Sequence, residues 1–200
     1  MTTIAWDAPD SSPRAVLVLG HGAGGDLDDP LLVAVAKGLC AVGVAVARFN
    51  FPYREAGRKA PGSQTDSENA YRDIATSKRI DGVPLYCGGK SYGGRIASHI
   101  ASEGFEVDGL VFLSYPLHAP GKQDRLRDEH LRNIRAPMLF IQGTKDPFAQ
   151  PDLLDRTVSS LPTAKLIPVE GGDHSLRVRG RKHSDVYAEV IDAITEFVSK

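Results

Sequence analysis

Residues 83–101 read VPLYCGGKSYGGRIASHIA, and the order of features in this stretch decides the fold. Val83–Cys87 is an apolar run that predicts a buried strand, and apolar residues from Ile96 onward recur at helical spacing. Between them, Gly89-Lys90-Ser91-Tyr92-Gly93 matches the pattern Gly-x-Ser-x-Gly. A sharp turn from a strand into a helix exposes the serine oxygen, and small residues two positions before and after the serine keep that turn free of clashes. The stretch therefore predicts a nucleophilic serine, Ser91, at the end of a buried strand.

Apolar runs and helix signals alternate on both sides of this stretch. Further strands are predicted at Ala15–Leu19, Val44–Ala47 continuing to Phe49 and Phe51, Val107–Leu113, Met138–Ile141 and Lys165–Val169. Helices are predicted after the N-cap Asp29 with a stop at Gly43, from the capping box Thr65-x-x-Glu68, within Gln123 to Asn133, and along the stripe from Val186 to Val198. Continuous apolar strands are typical of a parallel sheet covered on both faces. The predicted fold class is α/β: a doubly wound, mainly parallel sheet with helices on both faces, in one domain spanning residues 1–200.

Composition narrows the classes of partner and compartment. The 200 residues carry a formal net charge of −1, which does not indicate a nucleic-acid or anionic-membrane partner. The longest run without polar residues is too short for a membrane span, and the first residues lack the apolar core of a signal peptide. Cys40 and Cys87 form no CxxC pair and predict free thiols in a reducing compartment, the cytoplasm. The oligomeric state stays open.

Two nucleotide-binding motifs are matched only in part. Gly20–Gly25 satisfies Gly-x-Gly-x-x-Gly, but the following helix signal comes only at Asp29, and the next strand ends in Arg48-Phe49-Asn50 without an acidic residue. Gly89-Lys90-Ser91 resembles the end of a phosphate-binding loop, but Pro84 stands where that motif requires its first glycine. Neither motif therefore predicts a nucleotide cofactor.

A serine nucleophile needs a base and an orienting carboxyl group, expected in the chain order Ser, Asp or Glu, His. Asp146 and His174 follow two successive predicted strands in that order. Asp173 is adjacent to His174, but neighbouring side chains usually diverge, so Asp146 is predicted as the orienting acid. Because catalytic residues of such sheets lie at the carboxyl ends of the strands, Ser91, Asp146 and His174 are expected to meet there.

Oxyanion stabilisation is predicted from two backbone N–H groups. One is that of Tyr92, directly after the nucleophile, and the other belongs to Gly22 or Ala23 in the glycine-rich loop after the first strong strand. The residues leave the choice between Gly22 and Ala23 open. His21 is predicted to hold that loop from beneath.

Together, Gly20-His21-Gly22-Ala23-Gly24, the Ser91 stretch, Gln142-Gly143-Thr144-Lys145-Asp146 and Gly171-Gly172-Asp173-His174 resemble the α/β-hydrolase superfamily. Arg48-Phe49-Asn50-Phe51-Pro52-Tyr53 is similar to the small dienelactone-hydrolase-like group. The resemblance implies a serine hydrolase that needs no cofactor, and no metal ligand is predicted. Dienelactone hydrolases themselves use a cysteine nucleophile, which differs from Ser91.

The leading interpretation is an esterase-type hydrolase of small soluble carboxylic esters or thioesters. A catalytically silent interaction module and a peptidase or amidase with the same triad are the alternatives. The interval Tyr115 to Arg135 is too short for the cap domain of larger relatives, which predicts a shallow, open pocket. Basic residues beside it, Arg54, Arg58, Lys59 and Lys90, would favour an anionic substrate portion unless they are simply solvated.

Overall fold

A computed structural model describes residues 2–199, in which seven strands form one sheet of order β1-β3-β2-β4-β5-β6-β7. The strands are β1 (Ile4–Asp7), β2 (Ala15–Gly20), β3 (Val44–Phe49), β4 (Leu85–Lys90), β5 (Gly109–Leu113), β6 (Met138–Gly143) and β7 (Ala164–Val169). All neighbouring pairs are parallel except β1 and β3. The strand order reverses between β2 and β4, so a crevice is expected at the carboxyl ends of these two strands.

Helices cover both faces of the sheet. They are α1 (Pro30–Ala41), α2 (Pro52–Glu55), α3 (Gln64–Ser77), α4 (Tyr92–Ser102), α5 (Pro151–Ser159) and α6 (His183–Phe197), with a 3₁₀ helix at Glu129–Asn133. Alternate residues of β2 enter two separate cores: Leu17 packs on the side of α1 and α6, and Val18 packs on the side of α3, α4 and α5. The predicted doubly wound α/β class is therefore confirmed. The single-domain organisation stays a prediction, and its end residues, Met1 and Lys200, lie outside the described residues.

Helix α1 begins where the sequence predicts. The Asp29 carboxyl group accepts a hydrogen bond from the Leu31 N–H at 3.0 Å, and Pro30 is the first helical residue. Gly43 follows the helix with φ of +84°, a left-handed conformation that glycine adopts without strain. The helix thus ends before β3 starts.

Two predicted helix signals are wrong. Helix α3 is capped by Ser63, whose Oγ accepts from the Asp66 N–H at 3.2 Å, so Thr65 does not form a capping box with Glu68. In Gln123 to Asn133, only the last residues are helical, as the short 3₁₀ helix. The Arg127 N–H donates to the carbonyl of Leu117 at 2.8 Å, which ties this stretch to the turn after β5 instead of to a helical ladder.

Three elements have no counterpart in the prediction. The short helix α2 begins at Pro52, directly after Phe51, where a continuation of the second strand is predicted. Strand β1 lies at one sheet edge, antiparallel to β3, where Asp7 forms an ion pair with the largely buried Arg48 at 3.0 Å. Helix α5 buries Leu154 and Val158 against the sheet.

The connection between β5 and β6, residues 114–137, contains turns and the 3₁₀ helix and holds no cap domain. None of the helices within residues 2–199 combines the length and the apolar composition that a membrane span requires.

Candidate active site

The turn between β4 and α4 places Ser91 in a strained conformation. Its φ is +50° and its ψ is −110°, a region that residues with a side chain rarely adopt. A Cβ atom at Gly89 would lie 2.1 Å from the carbonyl oxygen of Gly20, and one at Gly93 would lie 2.0 Å from the same atom. Glycine is therefore required on both sides of Ser91 because the end of β2 presses against the turn.

A buried tyrosine supports the strand just before this turn. The Tyr71 hydroxyl accepts from the Gly88 N–H at 2.8 Å and lies within hydrogen-bond distance of the carbonyl oxygens of Val18 and Gly88. Tyr71 thus joins α3 to β2 and β4. The sequence alone gives no sign of this polar role for Tyr71.

Ser91, His174 and Asp146 meet at the carboxyl end of the sheet. The Ser91 Oγ lies 2.9 Å from the His174 Nε2, and the His174 Nδ1 lies 2.7 Å from the Asp146 Oδ2. A carboxylate only accepts hydrogen bonds, so the Nδ1 carries a proton, and in the neutral ring the Nε2 is free to accept one from Ser91. This arrangement can deprotonate the serine during attack on an electrophilic carbon.

The Asp146 side chain is fully buried and has partners on both oxygens. The Gln142 Nε2 donates to the Oδ2 at 2.6 Å, and the Phe148 N–H donates to the Oδ1 at 2.8 Å. These bonds fix the carboxyl group against the His174 ring. Sequence reasoning did not single out Gln142 as a supporting residue, although a polar side chain near the end of an apolar strand is a signal for one.

Asp173 is engaged elsewhere. Its Oδ1 accepts from the N–H groups of Ser175 and Arg177 at 2.8 and 2.9 Å. The adjacent aspartate therefore shapes the loop that carries His174.

The three residues predicted to supply oxyanion donors border the same site. Tyr92 is the first residue of α4, whose N–H has no partner inside the helix. Gly22 and Ala23 line the cavity beside Ser91, and a Cβ at Gly22 would lie 3.8 Å from the Ser91 Cβ. Within residues 2–199, the N–H groups of Gly22 and Ala23 donate no backbone hydrogen bond. Both stay candidate donors, and the choice between them stays open.

His21 holds this glycine-rich loop from below. Its Nε2 accepts from the Phe51 N–H at 3.2 Å, so the proton is on the Nδ1, which donates to the Gly22 carbonyl at 2.7 Å. Burial lowers the pKa of His21 and keeps the ring neutral. The Tyr53 hydroxyl donates to the Ala23 carbonyl at 2.8 Å and adds a second tie.

A cavity of about 360 Å³, called the cleft below, opens in front of Ser91. The Phe148 ring lies against the His174 ring, with 4.3 Å between ring centroids. Lys90 pairs with Asp29 at 2.7 Å and Arg54 pairs with Asp26 at 3.0 Å, so two of the basic residues considered for substrate recognition are neutralised. Within residues 2–199, no group of three or more His, Cys, Asp or Glu side chains is arranged to hold a metal ion.

Comparison with solved structures shows the same fold. The chain is similar to Est1E from Butyrivibrio proteoclasticus, solved with ferulic acid bound, at 18% identity and a TM-score of 0.78, covering 100% of this chain and 96% of that one. It is similar to a dienelactone hydrolase from Anabaena variabilis at 17% identity and a TM-score of 0.77, covering 98% of this chain and 89% of that one. XC6422 from Xanthomonas campestris, described as a serine hydrolase without a lid, matches at 21% identity and a TM-score of 0.71, covering 98% and 89% of the two chains.

The model of one protein family matches almost the whole sequence. That family is described as an alpha/beta hydrolase domain, and the match spans residues 13–199. With no cap domain in the connection between β5 and β6, the chain belongs to the alpha/beta hydrolase family as a member without a cap.

Proposed function

We propose that this protein is a serine hydrolase that cleaves small carboxylic esters or thioesters through an acyl-enzyme. The observation that carries the proposal is the hydrogen-bonded chain from Asp146 through His174 to Ser91, with distances of 2.7 and 2.9 Å. The strained Ser91 backbone supports it, because such strain is kept where function needs it. An intact chain of this kind favours an enzyme over a silent interaction module.

Acylation starts when the Ser91 Oγ attacks the carbonyl carbon and its proton passes to the His174 Nε2. The substrate carbonyl oxygen becomes negative and accepts hydrogen bonds from the N–H of Tyr92 and from that of Gly22 or Ala23. When the intermediate collapses, the bond to the leaving oxygen or sulfur breaks, and the leaving group takes the proton from the His174 Nε2. An acyl group remains on Ser91.

Deacylation repeats these steps with water. The His174 Nε2 takes a proton from the water as its oxygen attacks the acyl carbon, and the same N–H groups hold the second oxyanion. Collapse breaks the bond to the Ser91 Oγ, which regains its proton from the His174 Nε2 and releases a carboxylic acid. Asp146 keeps the ring oriented throughout.

The volume of the cleft favours small substrates. A cavity of about 360 Å³ lies at the lower end of the volumes of small-molecule sites. We place the protein in the cytoplasm, because Cys40 and Cys87 are both free thiols, as expected in a reducing compartment. No cofactor takes part in the proposed reaction.

Labelling with a fluorophosphonate probe tests the proposal. The probe phosphonylates a serine that has an activating base, with fluoride as the leaving group. The wild-type protein is therefore expected to label rapidly and Ser91→Ala to lose labelling. Ser175→Ala is a matched control, since Ser175 also borders the cleft and its hydroxyl makes no hydrogen bond to His174 within the described chain. This control should label like wild type.

Hydrolysis of 4-nitrophenyl acetate and of a short acyl thioester follows in the same proteins. Ser91-dependent turnover of either substrate supports the proposal. An unlabelled and inactive wild-type protein with a normal circular dichroism spectrum would refute it and would favour the silent-module alternative.

A further inference from the structure

Two arginines line the cleft without an acidic partner. Arg95 lies in α4, one helical turn after Ser91, and Arg127 lies in the connection between β5 and β6. Neither takes part in any ion pair found among residues 2–199. Lys90 and Asp29 also line the cleft, but they form a salt bridge with each other at 2.7 Å. The uncompensated charge of the cleft is therefore positive and resides on Arg95 and Arg127.

The contacts of Arg95 leave hydrogen-bonding capacity unused. Its Nη2 donates to the Gln64 Oε1 at 2.8 Å, whereas its Nε is buried and has no partner. The Gln64 Nε2 in turn donates to the Glu68 Oε1 at 2.7 Å. Gln64 thus stands between Arg95 and the Glu68 carboxyl group, which form no direct pair.

The surroundings of Arg95 and Arg127 disfavour their positive charges unless an anion is bound. Helix α4 has no acidic residue in its first turn, and the positive end of its dipole adds to the charge of Arg95. Burial and, after it, the nearby charge of Arg95 lower the pKa of Arg127, as expected for a guanidinium group that is partly buried beside a like charge. Arg127 keeps its charge near neutral pH despite this shift, because the guanidinium group is a very strong base.

The neighbouring histidines add no charge. His99 and His130 stack with 4.0 Å between ring centroids, and burial together with His99 and Arg95 lowers the pKa of His130 to about 4. Burial also lowers the pKa of His99. A bound anion at the cleft would therefore be recognised by the two guanidinium groups.

We propose that Arg95 and Arg127 form a subsite for a carboxylate or phosphate group of the substrate, so that the enzyme prefers anionic esters. This inference rests on the proposed function and narrows its substrate class. Guanidinium groups bind both kinds of anion through paired N–H donors. Arg95 follows Ser91 by one turn of α4, a rise of about 5.4 Å, and both residues line the cleft. We therefore expect the anionic group and the ester carbonyl to occupy the same cleft.

Matched esters test the preference. One set carries the charge on the leaving group: 4-acetoxybenzoate and 4-acetoxyphenyl phosphate against methyl 4-acetoxybenzoate. A second set carries it on the acyl group: the 4-nitrophenyl half-ester of adipic acid against its methyl ester. Each kcat/KM is divided by the rate of hydroxide hydrolysis of the same ester, which removes differences in intrinsic reactivity. We expect a preference of about tenfold or more for the charged member of at least one set, as for a hydrogen-bonded charge.

Variants separate this subsite from general surface charge. Arg95→Gln and Arg127→Gln should each lower the charged-to-neutral ratio of kcat/KM by about tenfold. Arg125→Gln is the matched control. It also removes one positive charge, and Arg125 lies two residues from Arg127, but its side chain is 76% exposed. Its ratio should equal that of the wild type. The comparison of carboxylate with phosphate esters identifies which anion the subsite takes.

Binding gives a readout that does not depend on turnover. Adipate or inorganic phosphate is titrated by calorimetry into Ser91→Ala protein and into the same protein that also carries Arg95→Gln or Arg127→Gln. Arginine-dependent binding supports the subsite even if no ester is hydrolysed, an outcome that would overturn only the proposed function. Ser91-dependent hydrolysis with equal rates for charged and neutral esters, or anion binding that survives Arg95→Gln and Arg127→Gln, would overturn the subsite and leave the hydrolase proposal intact.

Discussion

Two aspartates lie on the loops around His174, and they make different contacts. Asp146 accepts a hydrogen bond from the His174 Nδ1 at 2.7 Å and another from Gln142. Asp173 instead accepts hydrogen bonds from two backbone N–H groups of its own loop. The distinction follows from topology. Asp146 comes from the loop after β6, the strand beside β7, and so approaches the ring from outside the loop that carries it.

Replacing each aspartate by asparagine tests this assignment. Asp146→Asn should lower kcat by about 10⁴-fold, the loss known when a triad aspartate becomes an amide and the imidazole takes the wrong tautomer. Asp173→Asn should cost about tenfold or less, because it weakens only loop hydrogen bonds. Steady-state hydrolysis of one activated ester measures both, after matching melting curves show that both variants fold. A crippled Asp173→Asn beside an active Asp146→Asn would reverse the assignment.

At this scale, the sequence predicts contacts that depend on chain order and strand ends. Ser91, Asp146 and His174 follow β4, β6 and β7 of one sheet, so their meeting at its carboxyl edge is a consequence of parallel topology. The significance of Arg95 and Arg127 could not be predicted in this way. An arginine becomes a candidate anion ligand when no carboxyl group reaches it, and that is a property of three-dimensional packing. The sequence likewise gives no sign that Lys90 is neutralised, because its salt-bridge partner Asp29 comes from a distant part of the chain.

The junction of β2, β4 and α4 depends on backbone contact. Gly20 at the end of β2 lies against Gly89 and Gly93, and its carbonyl oxygen occupies the space where either residue would carry a Cβ. Close approach of the strands brings the loop of Gly22 and Ala23 beside Ser91. The geometry of the candidate oxyanion site is thus set by the absence of side chains at two positions.

Gly93→Ala tests this packing. A Cβ placed 2.0 Å from a backbone carbonyl oxygen cannot be relieved by rotating a side chain, so the junction must shift. Overpacking of this severity costs about 3 kcal/mol or more, which lowers Tm by roughly 10 °C in a chain of this length. Thermal unfolding followed by circular dichroism measures the change. Gly24→Ala is the control, because a Cβ there meets nothing within 4 Å, and its Tm should match that of the wild type. Equal Tm values for the two variants would contradict the account.

Elements whose stability is local were predicted better than elements that depend on partners. The buried strands β2, β3, β5 and β6 are continuous apolar runs, and α1 carries its own cap, so both kinds of signal are visible in the sequence. Strand β1 is held by its ladder with β3 and by the pair of Asp7 with Arg48, and neither is a local signal. The helix predicted before the 3₁₀ helix is absent because of a contact with another part of the chain. The Arg127 N–H donates to the Leu117 carbonyl, and this bond replaces the helical ladder that the local composition favours.

Across the whole molecule, burial of histidines links stability to pH. Burial lowers the pKa of His21, His99 and His130 in the folded protein below the ordinary value of 6.5. The unfolded chain therefore binds more protons than the folded one once the pH falls below about 6.5. Stability rises with pH wherever the unfolded state binds more protons, so these groups destabilise the fold on acidification.

His130 allows this linkage to be tested with one substitution. Its pKa is lowered to about 4, first by burial and then by His99 and Arg95, so its contribution is lost progressively as the pH falls from about 6.5 toward 4. In His130→Gln, the decrease in Tm between pH 7 and pH 5 should be smaller than in the wild type. The variant lacks an imidazole that binds a proton more readily in the unfolded chain than in the folded protein. Glutamine keeps a hydrogen-bonding side chain for the Ser98 Oγ, which lies 2.8 Å from the His130 Nε2.

His183→Gln is the matched control for this measurement. His183 is exposed at the start of α6, so its removal should leave the difference in Tm between pH 7 and pH 5 as it is in the wild type. Melting curves at half-unit intervals of pH, in buffers of equal ionic strength, distinguish a change in slope from a uniform shift in stability. A uniform shift would mean that His130 contributes packing alone, and a steeper decrease in His130→Gln than in the wild type would contradict the sign derived from its burial.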